Sequence, residues 1–298
     1  MKHLFLALAL ALLCLRGSAQ QLEIQAETIA CTDLEDHDGN PYGSGSLFKL
    51  SARGNVNLSM SIDSLRRPTV WNLAGRATYG HLANHGQAHT LYPDQMLNAG
   101  VNLTHIRPLR GRWSLMAMAG VGLYTTIDEL AWRDLLVNAG LIFCRTVNPN
   151  LTIGVGAALT NTYGAPMILP IPYVRWTCAG RFEFGVNMIG LASVWGAMKI
   201  DDRLKLNLDF FEIESLSAVR RMNHHTYVVG MTGIRSAIRP EWLMGQSSLS
   251  LSVGVEWNRS LRSTKRDWSG FFHTFNRNNR RTFNPAPDIS LAYSYKFR

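Results

Sequence analysis

Three histidines recur every four residues in "HLANHGQAH", at His81, His85 and His89. On a helix this spacing would align three imidazoles on one face, and such a set is able to bind Zn²⁺ or Ni²⁺. However, Gly86 interrupts the stretch, and no carboxylate or cysteine occurs nearby before Asp94. We therefore interpret the stretch as a solvated loop and predict no metal site and no cofactor.

The acidic run "DLEDHDGN" (Asp33–Asn40) suggests a calcium loop at first sight. Its spacing fails, because His37 stands where a ligand is expected and no glutamate follows at the required distance. The run is more typical of an exposed leader. We predict that residues 20–45 form a flexible periplasmic segment ahead of the folded domain.

A basic and aromatic segment near the C-terminus is a candidate binding surface. Four aromatic residues (Trp268, Phe271, Phe272, Phe275) interleave with its cations, and Asp267 is its single acid. Arginine forks bind phosphate oxygens, so this mixture predicts contact with lipopolysaccharide on an outer leaflet. The alternative is an ordinary charged loop that keeps the mouth of a pore soluble or biases it toward anions. The cations are Arg259, Arg262, Lys265, Arg266, Arg277, Arg280 and Arg281.

Histidines were also considered as catalytic bases. His105, His224, His225 and His273 have no serine, asparagine or carboxylate partner at a readable spacing. The sequence therefore predicts a protein that is not an enzyme and has no catalytic residue.

The N-terminus predicts export. Lys2 precedes an apolar run from Leu4 to Leu15, and the small residues Gly17-Ser18-Ala19 follow it. This arrangement is typical of a secretory signal peptide spanning residues 1–19, which is too short to anchor the chain. Export makes nucleic acid an improbable partner despite the formal charge of +9. Three cysteines (Cys31, Cys144, Cys178) follow the predicted cleavage site, too few and too scattered for a disulfide framework.

The elements that must position these residues are strands. "LFKLSARGNVNLSMSID" (Leu47–Asp63) alternates without a fault between apolar or small residues and polar ones, and about a dozen later segments repeat the pattern. Most are about 9–12 residues long, the length that a tilted strand needs to cross a bilayer. Beyond the signal peptide, no run of about eighteen apolar residues predicts a transmembrane helix.

The polar faces are rich in Ser, Asn, Thr and Gly, which suit a wet or tightly packed interior. We therefore predict an all-β fold, an antiparallel transmembrane up-and-down β-barrel of about twelve strands, within a range of ten to fourteen, over residues 46–298. Its inward charges would include Lys49, Arg53, Arg76 and Lys205, which would favour anions.

The connections support this prediction, because short links such as "VNPN" tend to alternate with long ones such as Glu212–His225 and Asn258–Pro287. Aromatic residues close to predicted strand ends would form interfacial girdles. The strands, the turn in "VNPNLTIGVGAAL" and the aromatic ending "YSYKFR" together resemble uncharacterised outer-membrane β-barrel proteins of Bacteroidetes-type bacteria. That resemblance implies the outer membrane as location and outer-membrane lipid as partner, and it supplies no catalytic residues.

Three functions remain open from the sequence. The first is a non-enzymatic outer-membrane barrel, acting as a small-solute channel or as a structural or interaction protein of the envelope. The second is a barrel enzyme acting on lipid or lipid A. The third is a soluble periplasmic β-sandwich or ligand-binding barrel, in which the apolar side of each strand faces inward.

Overall fold

The computed structural model describes residues 19–127, 131–160, 167–178, 180–189, 191–222, 225–267 and 281–297. All of the predicted signal peptide except Ala19 lies outside the described residues. Among those residues, no helix is long and apolar enough to span a membrane.

Fifteen strands, one short α-helix and one 3-10 helix make up the described chain. The helices are α1 (Gln87–Leu91) and the 3-10 turn Trp132–Asp134. The strands are β1 (Ala19–Glu35), β2 (Pro41–Ile62), β3 (Pro68–Gly86), β4 (Gln95–Pro108), β5 (Trp113–Thr125), β6 (Leu135–Asn148), β7 (Leu151–Thr160), β8 (Met167–Cys178), β9 (Phe182–Ile189), β10 (Leu191–Lys199), β11 (Leu204–Met222), β12 (His225–Met244), β13 (Ser247–Lys265), β14 (Arg281–Phe283) and β15 (Ala286–Tyr295).

The strands form one closed ring. Each strand from β1 to β13 pairs antiparallel with the next, β13 pairs with β15, and β15 pairs with β1. The short β14 continues the line of β15 and also lies between β13 and β1. The wall therefore has fourteen strands, which confirms the predicted antiparallel up-and-down barrel and places the count at the upper end of the expected range. A single ring also excludes the two-sheet sandwich.

The strand that sequence reasoning missed is β1. The prediction of a flexible segment over residues 20–45 is wrong, because β1 pairs with β2 on one side and with β15 on the other, from Leu22 opposite Tyr295 to Ile29 opposite Asp288. The acidic run Asp33–Asn40 begins inside β1 and ends in a tight turn, in which the carboxylate of Asp36 accepts the backbone N–H groups of Asp38 and Asn40. β1 closes the ring.

The ring carries its apolar side chains on the outside. Phe48 and Leu50 are exposed while Lys49 between them is buried, and on β15 Ile289 and Leu291 are half exposed while Ser290 is buried. This is the reverse of a soluble protein, in which burial of apolar surface drives folding. The predicted alternation is thus confirmed, with the polar face turned inward.

The two ends of the ring differ. Both termini lie at one end, here called the terminal rim, where the connections are the short stretches 63–67, 109–112, 149–150, 179–181, 200–203 and 245–246. The opposite, distal end has connections such as 87–94, which contains α1, and 126–134. The alternation of short and long links predicts two strands within residues 181–200, divided near Gly190, and β9 and β10 confirm this prediction.

Two segments that were predicted as long distal loops contain strands where the structure describes them. The first was expected over Glu212–His225, but β11 continues to Met222 and β12 begins at His225. The second was expected from Asn258, but β13 continues to Lys265 and β14 pairs beside it. Leu216 of the first segment, and Leu261 and Phe283 of the second, pack inside the barrel at this end.

An apolar cluster fills the interior at the distal end, and we call it the distal plug. It brings α1 and its neighbour Tyr92 together with inward side chains of the surrounding strands, and Tyr42 packs against it. Leu216 of β11 lies so close to β3 that a Cβ added at Gly80 would be 2.5 Å from its Cδ2. The plug comprises Ile29, Leu34, Leu47, Leu82, Ala88, Tyr92, Met96, Leu216, Ala218, Val229, Met231, Leu261, Phe283 and Ala286.

Candidate functional site

A buried set of ion pairs occupies the middle of the barrel, and we call it the central network. Its members are Glu27 (β1), Lys49 (β2), Glu214 (β11), Arg235 (β12) and Asp288 (β15). Lys49 Nζ lies 2.8 Å from Glu27 Oε1 and also bonds to Glu214. Arg235 Nη1 lies 3.3 Å from Glu27 Oε2, and its Nε lies 3.6 Å from Asp288 Oδ2. Strands β1, β2 and β15 are thereby linked across the lumen to β11 and β12.

The register of the strands explains why these charges meet. Glu27 is opposite Lys49 on β2 and opposite Ser290 on β15, so β1 carries its carboxylate between two neighbours. The Nη2 of Arg235 also donates to Ser252 Oγ at 3.0 Å on the adjacent β13. Buried charges are tolerated only when they are paired in this way, because an unpaired buried charge loses its hydration without compensation.

A cavity of about 150 Å³ adjoins the central network. Four arginines and four carboxylates line it, together with polar residues that include Ser51, Ser193 and Ser290 and a few apolar ones. The charged lining residues are Arg53, Arg76, Arg235, Arg239, Glu23, Asp209, Glu212 and Glu214.

Most of these charges neutralise one another. Arg53 Nη2 lies 2.7 Å from Glu23 Oε1, and Arg239 Nη2 lies 3.3 Å from Asp209 Oδ1. Arg76 is directly opposite Arg53 on the neighbouring strand, and both arginines keep solvent-exposed side chains on the inward face. Water therefore reaches the lumen at their level.

The distal plug closes the lumen beyond the central network. Arg259 lies at this border, where its Nη2 donates to the carbonyl oxygen of Gly45 at 2.9 Å and its guanidinium stacks 3.9 Å from the centre of the Phe283 ring. Arg281 lies over the ring of Tyr42, and its Nη1 donates to Tyr92 Oη at 3.2 Å. Burial raises the pKa of the Tyr92 phenol, while the neighbouring Arg281 opposes that rise.

The four residues predicted as lumen charges all lie on the inward face, but three of them have carboxylate partners. Lys49 belongs to the central network, Arg53 pairs with Glu23, and Lys205 Nζ lies 2.5 Å from Glu183 Oε2. Arg76 is the one of the four that forms no ion pair within 4.0 Å among the described residues. An anion preference therefore does not follow from these four cations alone.

The residues predicted to contact lipopolysaccharide do not lie together on one surface among the described residues. Arg259 is 2% exposed inside the barrel, so the prediction is wrong for this residue. Arg281 contacts Tyr42 and Tyr92 next to the distal plug. Arg262 and Lys265 lie at the distal end of β13, with Arg266 after it. Arg277 and Arg280 lie outside the described residues.

The histidine series forms no metal site. His81 and His85 lie in β3 with exposed side chains, and His89 lies in α1 beside Asp94, at 3.2 Å from Nδ1 to Oδ1. The loop expected there is therefore strand and helix. Within the described part of the chain, no group of three histidine, cysteine, aspartate or glutamate side chains has metal-binding geometry. The described cysteines, Cys31, Cys144 and Cys178, are free thiols.

The histidines considered as bases fall elsewhere. His105 stacks on Trp71 with 4.1 Å between ring centres, and His225 opens β12. His224 and His273 lie outside the described residues.

Sequence reasoning missed most of the central network. Glu27 was assigned to a leader, and Glu214 was assigned to a loop. One signal in the sequence could have indicated inward charges on these strands. Glu23 and Glu27 are four residues apart, as are Arg235 and Arg239, and residues four apart lie on the same face of a strand.

A closed antiparallel ring with apolar side chains outside and ion pairs inside defines the chain as an up-and-down β-barrel. The chain belongs to the family described as "Domain of unknown function (DUF6268)", whose profile matches residues 16–296. No curated protein sequence matches it.

Several solved outer-membrane proteins are similar in fold. An outer-membrane channel from Pseudomonas putida F1 has a TM-score of 0.45 at 10% identity, over 94% of this chain and 96% of that chain. Omp33 from Acinetobacter baumannii has a TM-score of 0.38 at 10% identity, over 95% and 100%. The monoaromatic hydrocarbon channel TodX of Pseudomonas putida has a TM-score of 0.38 at 9% identity, over 97% and 93%.

Proposed function

We propose that this protein is an integral, non-enzymatic barrel of the bacterial outer membrane, through which small polar solutes pass when the distal plug moves. The observation that carries the proposal is the reversal of the usual burial pattern. Apolar side chains cover the outside of a closed ring, and paired charges occupy its inside. A hydrocarbon solvent outside and water inside would account for both.

The outer surface is too apolar for a protein that remains in water. Soluble monomers rarely expose contiguous apolar patches larger than a few hundred Å². Here large apolar residues are exposed on nearly every strand, such as Val121, Leu141, Val155, Ile238 and Val253. Each described strand of the ring pairs with a neighbour on both sides, and such closure is the condition under which strands cross hydrocarbon.

The aromatic and basic residues at the terminal rim support the same placement. Exposed aromatic side chains form a girdle at this end, as expected at a membrane interface. Its members are Trp71, Trp113, Phe143, Trp176, Phe182, Trp242, Tyr293 and Phe297. Exposed cations follow on the same side, at Arg66, Arg107, Arg110, Arg112, Arg145, Arg181, Lys199, Arg203 and Lys296, where they would face lipid phosphates.

The interior supports a solute path that is closed at one end. Polar side chains and exposed arginines line the lumen near the cavity, while the distal plug fills the other end. A solute would therefore enter from the terminal rim and pass only if β11 or α1 moved. A purely structural barrel is the competing role, and it differs by never opening.

Two measurements test the proposal in sequence. The protein should be extracted from envelopes only by detergent, and unboiled samples should migrate faster on a gel than boiled ones. Purified protein in planar bilayers should then give discrete conductance steps. Recovery in the soluble periplasmic fraction would refute the membrane placement. A folded, membrane-inserted protein without conductance steps at any voltage would leave only the structural role.

A further inference from the structure

We infer that the lumen cavity binds a compact zwitterion, a small molecule that carries one anionic and one cationic group. This inference rests on the proposed function and specifies its solute. The cavity is lined by four arginines and four carboxylates, so its formal charge is balanced. A ligand of zero net charge preserves that balance, whereas a simple anion or cation upsets it.

The pairing inside the cavity leaves one charge of each sign outside any ion pair among the described residues. Arg53 is paired with Glu23, Arg239 with Asp209, Arg235 with Glu27 and Asp288, and Glu214 with Lys49. These pairs lie within 4.0 Å. The charges that remain are Arg76 on β3 and Glu212 on β11. Neither has an ion pair or side-chain hydrogen bond among the described residues.

Two unpaired opposite charges that face one cavity form a dipolar site. Arg76 offers a planar fork of donors to a carboxylate or another oxyanion. Glu212 offers two acceptor oxygens to an ammonium group. An apolar ligand would bury these charges without compensation, at a cost that grows as the site is dehydrated. An anion would satisfy Arg76 and leave Glu212 unmatched, and a cation would do the reverse.

The size of the cavity limits the ligand. Its volume of about 150 Å³ is that of a cavity able to hold a molecule such as benzene. This corresponds to roughly six or seven non-hydrogen atoms, the range from a short amino acid to a linear amino acid of four carbons. A phospholipid with its acyl chains exceeds this volume.

Calorimetric titration of the folded protein in detergent micelles tests the inference. The probes are 4-aminobutanoate, butanoate and butylamine, which share one chain and differ in charge. The zwitterion should bind at least tenfold more tightly than either singly charged probe. Equal or tighter binding of butanoate, or no heat from 4-aminobutanoate at its solubility limit, would overturn the inference.

Two variants should reverse the preference in opposite directions. Arg76→Gln leaves an unmatched carboxylate, so butylamine should become the best of the three probes. Glu212→Gln leaves an unmatched arginine, so butanoate should become the best. Arg145→Gln and Asp201→Asn remove one charge of each sign from exposed positions near the terminal rim, and they should leave the order unchanged. An order that stays the same in Arg76→Gln and Glu212→Gln would refute the site.

For each variant, an unboiled sample that migrates faster on a gel than the boiled sample shows that the barrel is folded. Loss of binding is thereby separated from loss of fold. The result is also separable from the proposed function. Detergent extraction and conductance steps can succeed while all three probes fail to bind, in which case the barrel conducts without this site.

Discussion

Val219 on β11 pairs with Thr125 on β5, although strands β6 to β10 separate the two around the wall. Both side chains are fully buried. The contact arises because β10 is short. Its pairing with β11 ends at Ser193 opposite Glu212, while the pairing of β11 with β12 continues to Met222 opposite His225. β11 thereby crosses the distal end of the ring, contacts β4 and β5, and supplies Leu216 and Ala218 to the distal plug.

The first prediction is that a cross-link at this contact locks the barrel shut. In a chain whose Cys31, Cys144 and Cys178 are replaced by alanine, Thr125→Cys and Val219→Cys should form a disulfide under mild oxidation, because paired strand residues lie within disulfide reach. Conductance steps should vanish on oxidation and return with reductant. Migration on a non-reducing gel measures the cross-link.

A matched pair controls this experiment. Ser114 lies near the opposite end of β5, so Ser114→Cys with Val219→Cys should not cross-link. Failure of the first pair to oxidise would mean that β11 does not cross the lumen. Equal conductance before and after cross-linking would mean that β11 is not part of the gate.

The second prediction concerns the central network. Glu27→Gln removes a carboxylate that is shared by Lys49 and Arg235, both of which remain buried. Breaking one partner of a buried charge cluster typically costs about 3–5 kcal/mol in the free energy of unfolding. Urea unfolding of the folded barrel in vesicles, followed by tryptophan fluorescence, measures the loss.

Glu23→Gln is the control for Glu27, since it removes the same charge from the same strand. Its partner Arg53 has a side chain that is 56% exposed, so the loss should be about 0–1 kcal/mol. Similar losses in the two variants would show that water reaches Glu27 and that the network is not buried.

Much of the wall could be predicted from the sequence, because a strand between lipid and lumen shows its environment in every second residue. Lys49 between Phe48 and Leu50 is the clearest case, since it is buried while its two neighbours are exposed. The same logic failed for β1. Glu23 and Glu27 give it the composition of a solvated leader, although their charges are neutralised by Arg53 and Lys49 on β2 and by Arg235 on β12.

The distal half of β11 could not be predicted for a different reason. Ala218 and Val219 are consecutive, yet both are buried, because this part of the strand contacts protein on both faces. Alternation disappears where lipid is no longer on one side, and the segment then resembles a loop. Arg259 was misplaced likewise, since no local pattern reveals that Phe283 and Gly45 contact it.

The third prediction is a pH dependence at the terminal rim. Asp63 in the link 63–67 has a lowered pKa, chiefly because its carboxylate accepts hydrogen bonds from the backbone N–H and the side chain of Arg67. A group with a lowered pKa in the folded state stabilises the fold above its ordinary pKa of 3.8 and loses that contribution as the pH falls through the lowered value. NMR titration of the Asp63 carboxyl should therefore give a midpoint below 3.8.

Arg67→Gln is the informative variant for this titration. It removes the charged donor but keeps the backbone N–H, so the midpoint should rise part of the way toward the ordinary value. A midpoint in the native chain at or above that of an isolated peptide of the same sequence would contradict the geometry of this turn.

The last prediction tests which face of the wall meets hydrocarbon. Leu291 lies on the outward face of β15, 51% exposed and flanked by the buried Ser290 and Ala292. Leu291→Arg should destabilise the inserted barrel by about 2–4 kcal/mol, the cost of a cation near the middle of a bilayer. Leu65→Arg provides the comparison, because Leu65 is still more exposed but lies in the link 63–67 at the terminal rim, where the cost should be about 0–1 kcal/mol. Reversible urea unfolding in vesicles measures both. If the two substitutions lower the free energy of unfolding equally, or if Leu291→Arg does not lower it, then the outward face of β15 contacts water and not lipid.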